Sequence, residues 1–149
     1  MILLDANILI YAAASSLPQH ATAQEWLDNQ LSGPSPVGLP WASLLAFLRI
    51  TSNPRLFGQA ASVSEAWRRV QAWLAADPAW IPQPGERHAE LLGELLALPG
   101  VHANLVPDAH LAALAIEHGL TLCSADTDFA RFPRLRWTNP LAPDPPGRR

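Results

Sequence analysis

"MILLDANILIYAAA", residues 1–14, decides the fold of this chain, and the residue that decides it is the acid in the middle. Ile2, Leu3 and Leu4 precede Asp5, and Ile8, Leu9 and Ile10 follow it. Carboxylates are rarely buried unless paired or bound to a metal, so an acid at the hinge of an apolar run needs a reason to be there. Residues 2–4 read as a short buried strand and residues 7–14 as the start of a helix, with Asp5 at the junction.

The same alternation continues outward. Residues 21–31 carry Ala23, Trp26, Leu27 and Leu31 on one face, which predicts a second helix. Gly33-Pro34-Ser35-Pro36 is a turn, and residues 37–39 a second short strand. Ser43 is placed to cap a helix through Leu44, Leu45, Phe47, Leu48 and Ile50, which Asn53-Pro54 stops. Ser62 and Glu65 make a capping box for a helix bearing Val70, Trp73 and Leu74, ended by Asp77-Pro78. Residues 80–81 are a third candidate strand, and residues 87–98 a helix with Leu91, Leu92, Leu95 and Leu96 inward. Pro107-Asp108 opens a helix that runs to His118 and stops at Gly119, a favoured residue just past a helix end. Residues 121–124 follow as a strand, 126–132 as a turn or short helix, and 136–138 as a last strand. The tryptophans fall mostly at core-like helical positions and read as packing. Short strands alternating with helices predict an α/β fold with a parallel sheet covered on both faces. No repeat or domain boundary interrupts residues 1–140, and the proline-rich tail, residues 141–149, is expected to fray.

Composition bounds the function. At 149 residues, 49% hydrophobic and 15% charged, the chain is one domain with a substantial core and not a disordered sequence. No apolar stretch reaches the roughly 20 residues that span a bilayer. The N-terminus lacks a basic stretch and carries an acid at position 5, which argues against a signal peptide. The single cysteine, Cys123, fits a reducing cytoplasm. A net charge of −3 argues against a generic polyanion-binding patch. All the basic residues are arginine, and the chain has no lysine.

The acids cluster where an open parallel sheet puts its sites, outside the carboxyl ends of the strands. Asp5 follows the first strand, and Asp126 and Asp128 follow the "TLCSA" strand. Asp108 opens a helix after the "HANLV" connection. Taken singly, Asp108 suits a helix cap, and Asp126 and Asp128 suit a turn. Together, carboxylates that converge repel one another and raise each other's pKa, unless a cation sits among them. Hard oxygen ligands of this kind select Mg²⁺ or Mn²⁺. Asp5, Asp108, Asp126 and Asp128 are therefore the candidate metal-binding and catalytic residues. The histidines show no zinc-ligand spacing, and His110 and His118 read as surface or packing residues. Arg49, Arg55, Arg68, Arg69, Arg131 and Arg134 are available to steer a phosphate backbone.

"MILLDANILIYA", "SLLAFLRITSNPRLF" and "VPDAHLAALAIEHGLTLCSADTDFARFPRLRW", in that order, resemble the PIN-domain ribonucleases, and among them the VapC-like toxins of bacterial toxin–antitoxin pairs. The resemblance runs to about residue 140. It implies a three-layer domain with a central parallel sheet of four or five short strands, the first strand central, flanked by helices. It implies a Mg²⁺- or Mn²⁺-dependent endoribonuclease that leaves a 5′-phosphate and a 3′-hydroxyl, a small antitoxin partner and a homodimer. Position by position, Asp5 matches the family's first acid, Asp108 the acid opening the late helix, and Asp126 and Asp128 the acids after the fourth strand. One departure stands out: many members carry a glutamate in the helix where Ala46 stands here.

Two rival functions are weighed. Phospho-acceptor receivers and aspartate-nucleophile phosphatases also place an acid after the first strand, but they neutralise the phosphoryl group with a lysine, which this chain lacks. The stronger rival is a catalytically weakened domain of the same family that binds an antitoxin or RNA without cutting. Ala46 favours it, and the four remaining acids count against it.

Overall fold

A computed structural model describes residues 1–143, and β1 (Ile2–Leu4) runs down its centre. After it come α1 (Ala6–Ala13), α2 (His20–Leu31), β2 (Val37–Gly38), α3 (Trp41–Thr51) and α4 (Val63–Leu74). The second half holds β3 (Ala79–Trp80), α5 (His88–Leu96), α6 (Val106–His118), β4 (Thr121–Cys123) and β5 (Trp137–Thr138). The strands form one parallel sheet in the order β3-β2-β1-β4-β5. The expected fold class is therefore observed, with five strands and the first in the middle.

The three layers follow from the period of two in β1. Leu3 and Leu4 are both fully buried but point to opposite faces. Leu4 joins a core with Leu9 of α1, Leu27 of α2, Phe47 of α3 and Trp73 of α4. Leu3 joins the other core, with Leu91 and Leu95 of α5, Leu111 and Leu114 of α6, and the Phe129–Phe132 pair. Leu122 and Cys123 of β4 divide in the same way. The Cys123 thiol is buried, which pushes its pKa up to about 12 and makes it unreactive near neutrality.

Several boundaries differ from the sequence reading, each for a local reason. Ser43 does not cap α3, which begins two residues earlier, after Pro40. Its hydroxyl is buried and donates to the Leu4 carbonyl at 2.7 Å. That carbonyl lies past the paired part of β2, so the side chain supplies the bond that the strand cannot. Helix α1 starts at Ala6 because Asp5 caps it, and α6 starts at Val106, after a 3₁₀ turn over Ala103–Leu105. Ser62 caps α4 as expected, accepting from the Glu65 amide at 3.1 Å. Trp26, Trp73, Trp80 and Trp137 pack against the two cores, as read from the sequence. Trp73 stacks edge-on against Phe47, but Trp41 and Trp67 are 38% and 39% exposed. Of the tail, residues 144–149 lie outside the described residues.

Gly119 ends α6 with φ at +67°, and a Cβ built there would meet nothing within 4 Å. Gly119→Ala is therefore expected to cost only the left-handed backbone penalty, about 1 kcal/mol. Thermal melting should record a drop of roughly 3 °C for a domain of this size. An unchanged melting temperature would mean that the helix ends differently in solution.

Candidate metal centre

The turn after β1 and the loop after β4 lie side by side because their strands are neighbours, and a polar network ties them together. Asp5 caps α1, its Oδ1 accepting from the Ala6 amide at 2.7 Å. Its Oδ2 accepts from the Ser124 hydroxyl, also at 2.7 Å. Ser124 is fully buried, and its Oγ accepts in turn from Asn7 Nδ2 and from the Asp126 amide, both at 3.0 Å. Asn7 Oδ1 accepts from the Ala125 amide at 3.3 Å. Asp126 then caps the 3₁₀ turn over Thr127–Arg131, accepting from the Asp128 amide at 2.9 Å.

The result is an acidic edge. Asp108, Asp126 and Asp128 each bring one carboxylate oxygen to within 4.8 Å of the others. Asp5 stands beside this trio rather than in it, each of its oxygens accepting one hydrogen bond, from Ala6 and from Ser124. It is close enough for its charge to act on Asp108, and for that of Asp126 to act on it. All four acids singled out in the sequence thus reach one edge of the sheet, three of them at mutual ligand distance. Arg131 is held there too, its guanidinium 3.5 Å from Asp128 Oδ1 and bonded to the Asp128 and Gly100 carbonyls. The other arginines are placed differently. Arg134 pairs with Glu94 at 3.1 Å. Arg68 and Arg69 line an open hollow of about 820 Å³ with Asp28 and Glu65, on the α2–α4 side and apart from the four acids.

Two of the four acids resist ionisation at this edge. Burial raises the Asp5 pKa most, and Asp126 adds to it, while the bonds from Ser124 and Ala6 pull the other way. Asp108 is pushed up to about 6, first by burial and then by Asp126, Asp5 and Asp128, with Arg131 opposing. Burial and neighbouring negative charge both disfavour ionised Asp5 and Asp108, and a hard divalent cation among these oxygen donors would oppose that by attracting the ionised form.

A pH effect follows. The folded pKa of Asp108 lies above its ordinary 3.8, so between there and about 6 the folded state holds the proton more tightly. Its contribution to stability therefore falls as pH rises through that window. In chelator, the native protein should gain stability relative to Asp108→Asn on going from about pH 7.5 to about pH 5. Parallel melting curves for the two proteins across that range would contradict this.

A groove of about 270 Å³ runs from the acids between α3 and α6, lined by Asp5, Asp108, His110, Ala42, Ser43 and Ala46 among others. Ala46, where many members of the family carry a glutamate, is among the lining residues. His110, read from the sequence as a surface or packing residue, lines it as well. His118 is a packing residue, bonded to the Gln83 carbonyl at 2.7 Å and set edge-on to Trp80. Sequence reasoning also passed over Ser124 and Asn7 as site residues. The clue was a hydroxyl between a buried strand and two acids, with an amide two residues after the first acid.

Comparison with known proteins identifies relatives of the whole chain. The PIN domain family model matches residues 2–135. The ribonuclease VapC37 of Mycobacterium tuberculosis is 44% identical over 142 residues, 95% of this chain and 99% of that protein. Ribonuclease VapC43 of the same organism is 41% identical over 141 residues, 95% of this chain and 96% of that one. Among solved structures, VapBC2 of Rickettsia felis bound to a promoter DNA fragment gives a TM-score of 0.69 at 20% identity, covering 93% of this chain and 98% of that one. VapBC-1 of nontypeable Haemophilus influenzae gives 0.67 at 18% identity, covering 95% and 100%. At such identities the two structures speak for the fold.

Proposed function

The chain belongs to the PIN-domain family, and on that footing we propose that it is the toxin ribonuclease of a toxin–antitoxin pair, a Mg²⁺- or Mn²⁺-dependent endoribonuclease. The observation that carries this is the convergence of Asp108, Asp126 and Asp128 at one sheet edge, with Asp5 beside them. The three converging carboxylates would hold the ion, and Asp5 would complete the negative site from a position set by Ser124. When bound, such an ion lowers the pKa of a water and stabilises charge on phosphoryl oxygens.

The remaining work falls to the chain. The Ser124–Asn7 network fixes the angle between the β1 and β4 loops, so the acids are held in place before substrate arrives. Arg131 offsets part of the negative field that would otherwise repel RNA, whose affinity rests on its phosphates. A small antitoxin as partner is supported by the complexes in which the structural neighbours were solved. A homodimer and a cytoplasmic setting belong to the same proposal. Among the described residues no helix is long and apolar enough to cross a membrane.

Ala46 is the observation behind a second function, RNA or antitoxin binding without cleavage, since a groove-facing position offers no carboxylate. One experiment separates the two. Purified protein is incubated with single-stranded RNA in Mg²⁺, in Mn²⁺ and in chelator, and the ends are sequenced. New 5′-phosphate and 3′-hydroxyl ends that depend on the ion are expected. Intact RNA that nevertheless binds would establish the non-cutting function instead.

A further inference from the structure

The α6 wall of the acidic groove carries a polar pair for which the ion and the acids have no use. His110 lines the groove two residues after Asp108. Its Nδ1 lies 3.1 Å from Nε2 of His88 on α5, with the rings edge-to-face and their centroids 4.9 Å apart. His88 is only 9% exposed, and its Nδ1 is buried with no hydrogen-bond partner among the described residues.

That orphaned nitrogen decides where the protons sit. A neutral imidazole has one donor nitrogen and one acceptor, so a single proton bridges the pair in one of two directions. If His110 donated, His88 would accept at Nε2 and bury an unpaired Nδ1–H. If His88 donates from Nε2, its Nδ1 is a bare acceptor. His110, accepting at Nδ1, then carries its own proton at Nε2. Orphaned buried N–H donors are the rarer kind in folded proteins, which favours the second direction. A doubly protonated His88 would donate from Nε2 as well and leave His110 in the same tautomer.

The rest of the lining explains what such a donor would meet. Asp5 and Asp108 are acceptors, and Ala42, Ala46, Val106 and Pro107 offer no side-chain hydrogen bond. The Ser43 hydroxyl is already spent on the Leu4 carbonyl. Among the described lining residues His110 is thus the one uncommitted side-chain donor. We infer that His110 offers its Nε2–H to a phosphate oxygen of RNA lying in this groove, and that His88 is the positioning residue that sets its tautomer. The inference rests on the ribonuclease function proposed above and adds to it the group that receives the backbone on the α6 side.

The test uses the full-length protein and three variants. Long-range ¹H–¹⁵N spectra of the native protein should show His110 as the Nε2–H tautomer, and a His110 that carries its proton on Nδ1 would overturn the inference. Steady-state cleavage of a single-stranded RNA then compares His110→Gln, His110→Asn and His110→Ala. Glutamine places an amide near Nε2 and should keep KM close to native. Asparagine reaches only the Nδ1 position, so it keeps the contact with His88 but loses the groove donor. It should raise KM roughly tenfold with little change in kcat or melting temperature, as should alanine in KM, the size expected for a hydrogen bond to a charged partner. Equal KM values for glutamine and asparagine would overturn the inference while leaving native cleavage intact. Native protein that neither binds nor cuts RNA would remove the ribonuclease function itself, and this inference with it.

Discussion

Asp126→Asn is expected to leave a folded protein that cleaves RNA slower by orders of magnitude. The substitution is chosen because it separates two jobs of one side chain. Asp126 Oδ1 caps the 3₁₀ turn by accepting from the Asp128 amide, and an asparagine carbonyl can do the same. As a ligand, however, asparagine replaces the anionic carboxylate with a neutral amide. Removing one negative charge should also relieve Asp108, whose pKa Asp126 helps to raise. In chelator the variant should therefore melt no lower than the native protein, and its gain in melting temperature on adding Mn²⁺ should shrink, because stabilisation follows binding to the folded state. Full cleavage by a folded Asp126→Asn protein would remove this acid from the site. Asp5→Asn is a harsher test of the same edge, since both Asp5 oxygens already accept hydrogen bonds from Ala6 and Ser124.

Much of this site was legible in the chain because strand order and chemistry point the same way. An acid straight after a central strand, and two more straight after its neighbour, must meet once those strands pair, whatever the loops do. Asp108 was legible from its place at the start of a helix. What could not be read was the division of labour among the acids. Asp5 reads as a ligand in the sequence, and in the structure its oxygens also cap a helix and accept from Ser124, tying two loops together. That role depends on the register Leu4↔Cys123, which no spacing along the chain reveals. Ser43 failed as a predicted cap for a related reason. A serine near a helix start suits capping, but here the nearest unpaired carbonyl belongs to β1, 39 residues away. The His88–His110 pair lay hidden because its members are 22 residues apart on different helices. Local patterns report local bonds well, and site assembly is mostly non-local.

Ala46→Glu is the remaining large expectation, and it turns on the missing carboxylate. Ala46 sits half-buried on α3 and lines the groove with Asp5 and Asp108. A glutamate there would enter the same negative field that already pushes the Asp108 pKa up to about 6. Without an ion, that means a poorly solvated charge among like charges, so melting in chelator should fall. With an ion, the same charge becomes a ligand or a group holding the ion's water. Groups that support a metal's ligands typically alter affinity or activity by about 10–100-fold. The Mn²⁺ concentration for half-maximal RNA cleavage should therefore drop by roughly that factor. Leu45 supplies the control, being the adjacent residue of α3 and 59% exposed. Leu45→Glu adds the same charge without lining the groove and should leave both the Mn²⁺ requirement and the melting in chelator nearly unchanged. The opposed responses at position 46, loss of stability in chelator and gain of sensitivity to Mn²⁺, distinguish a restored ligand from general damage. An Ala46→Glu protein that folds well and keeps the native Mn²⁺ requirement would mean that this chain's chemistry has no use for an acid on α3.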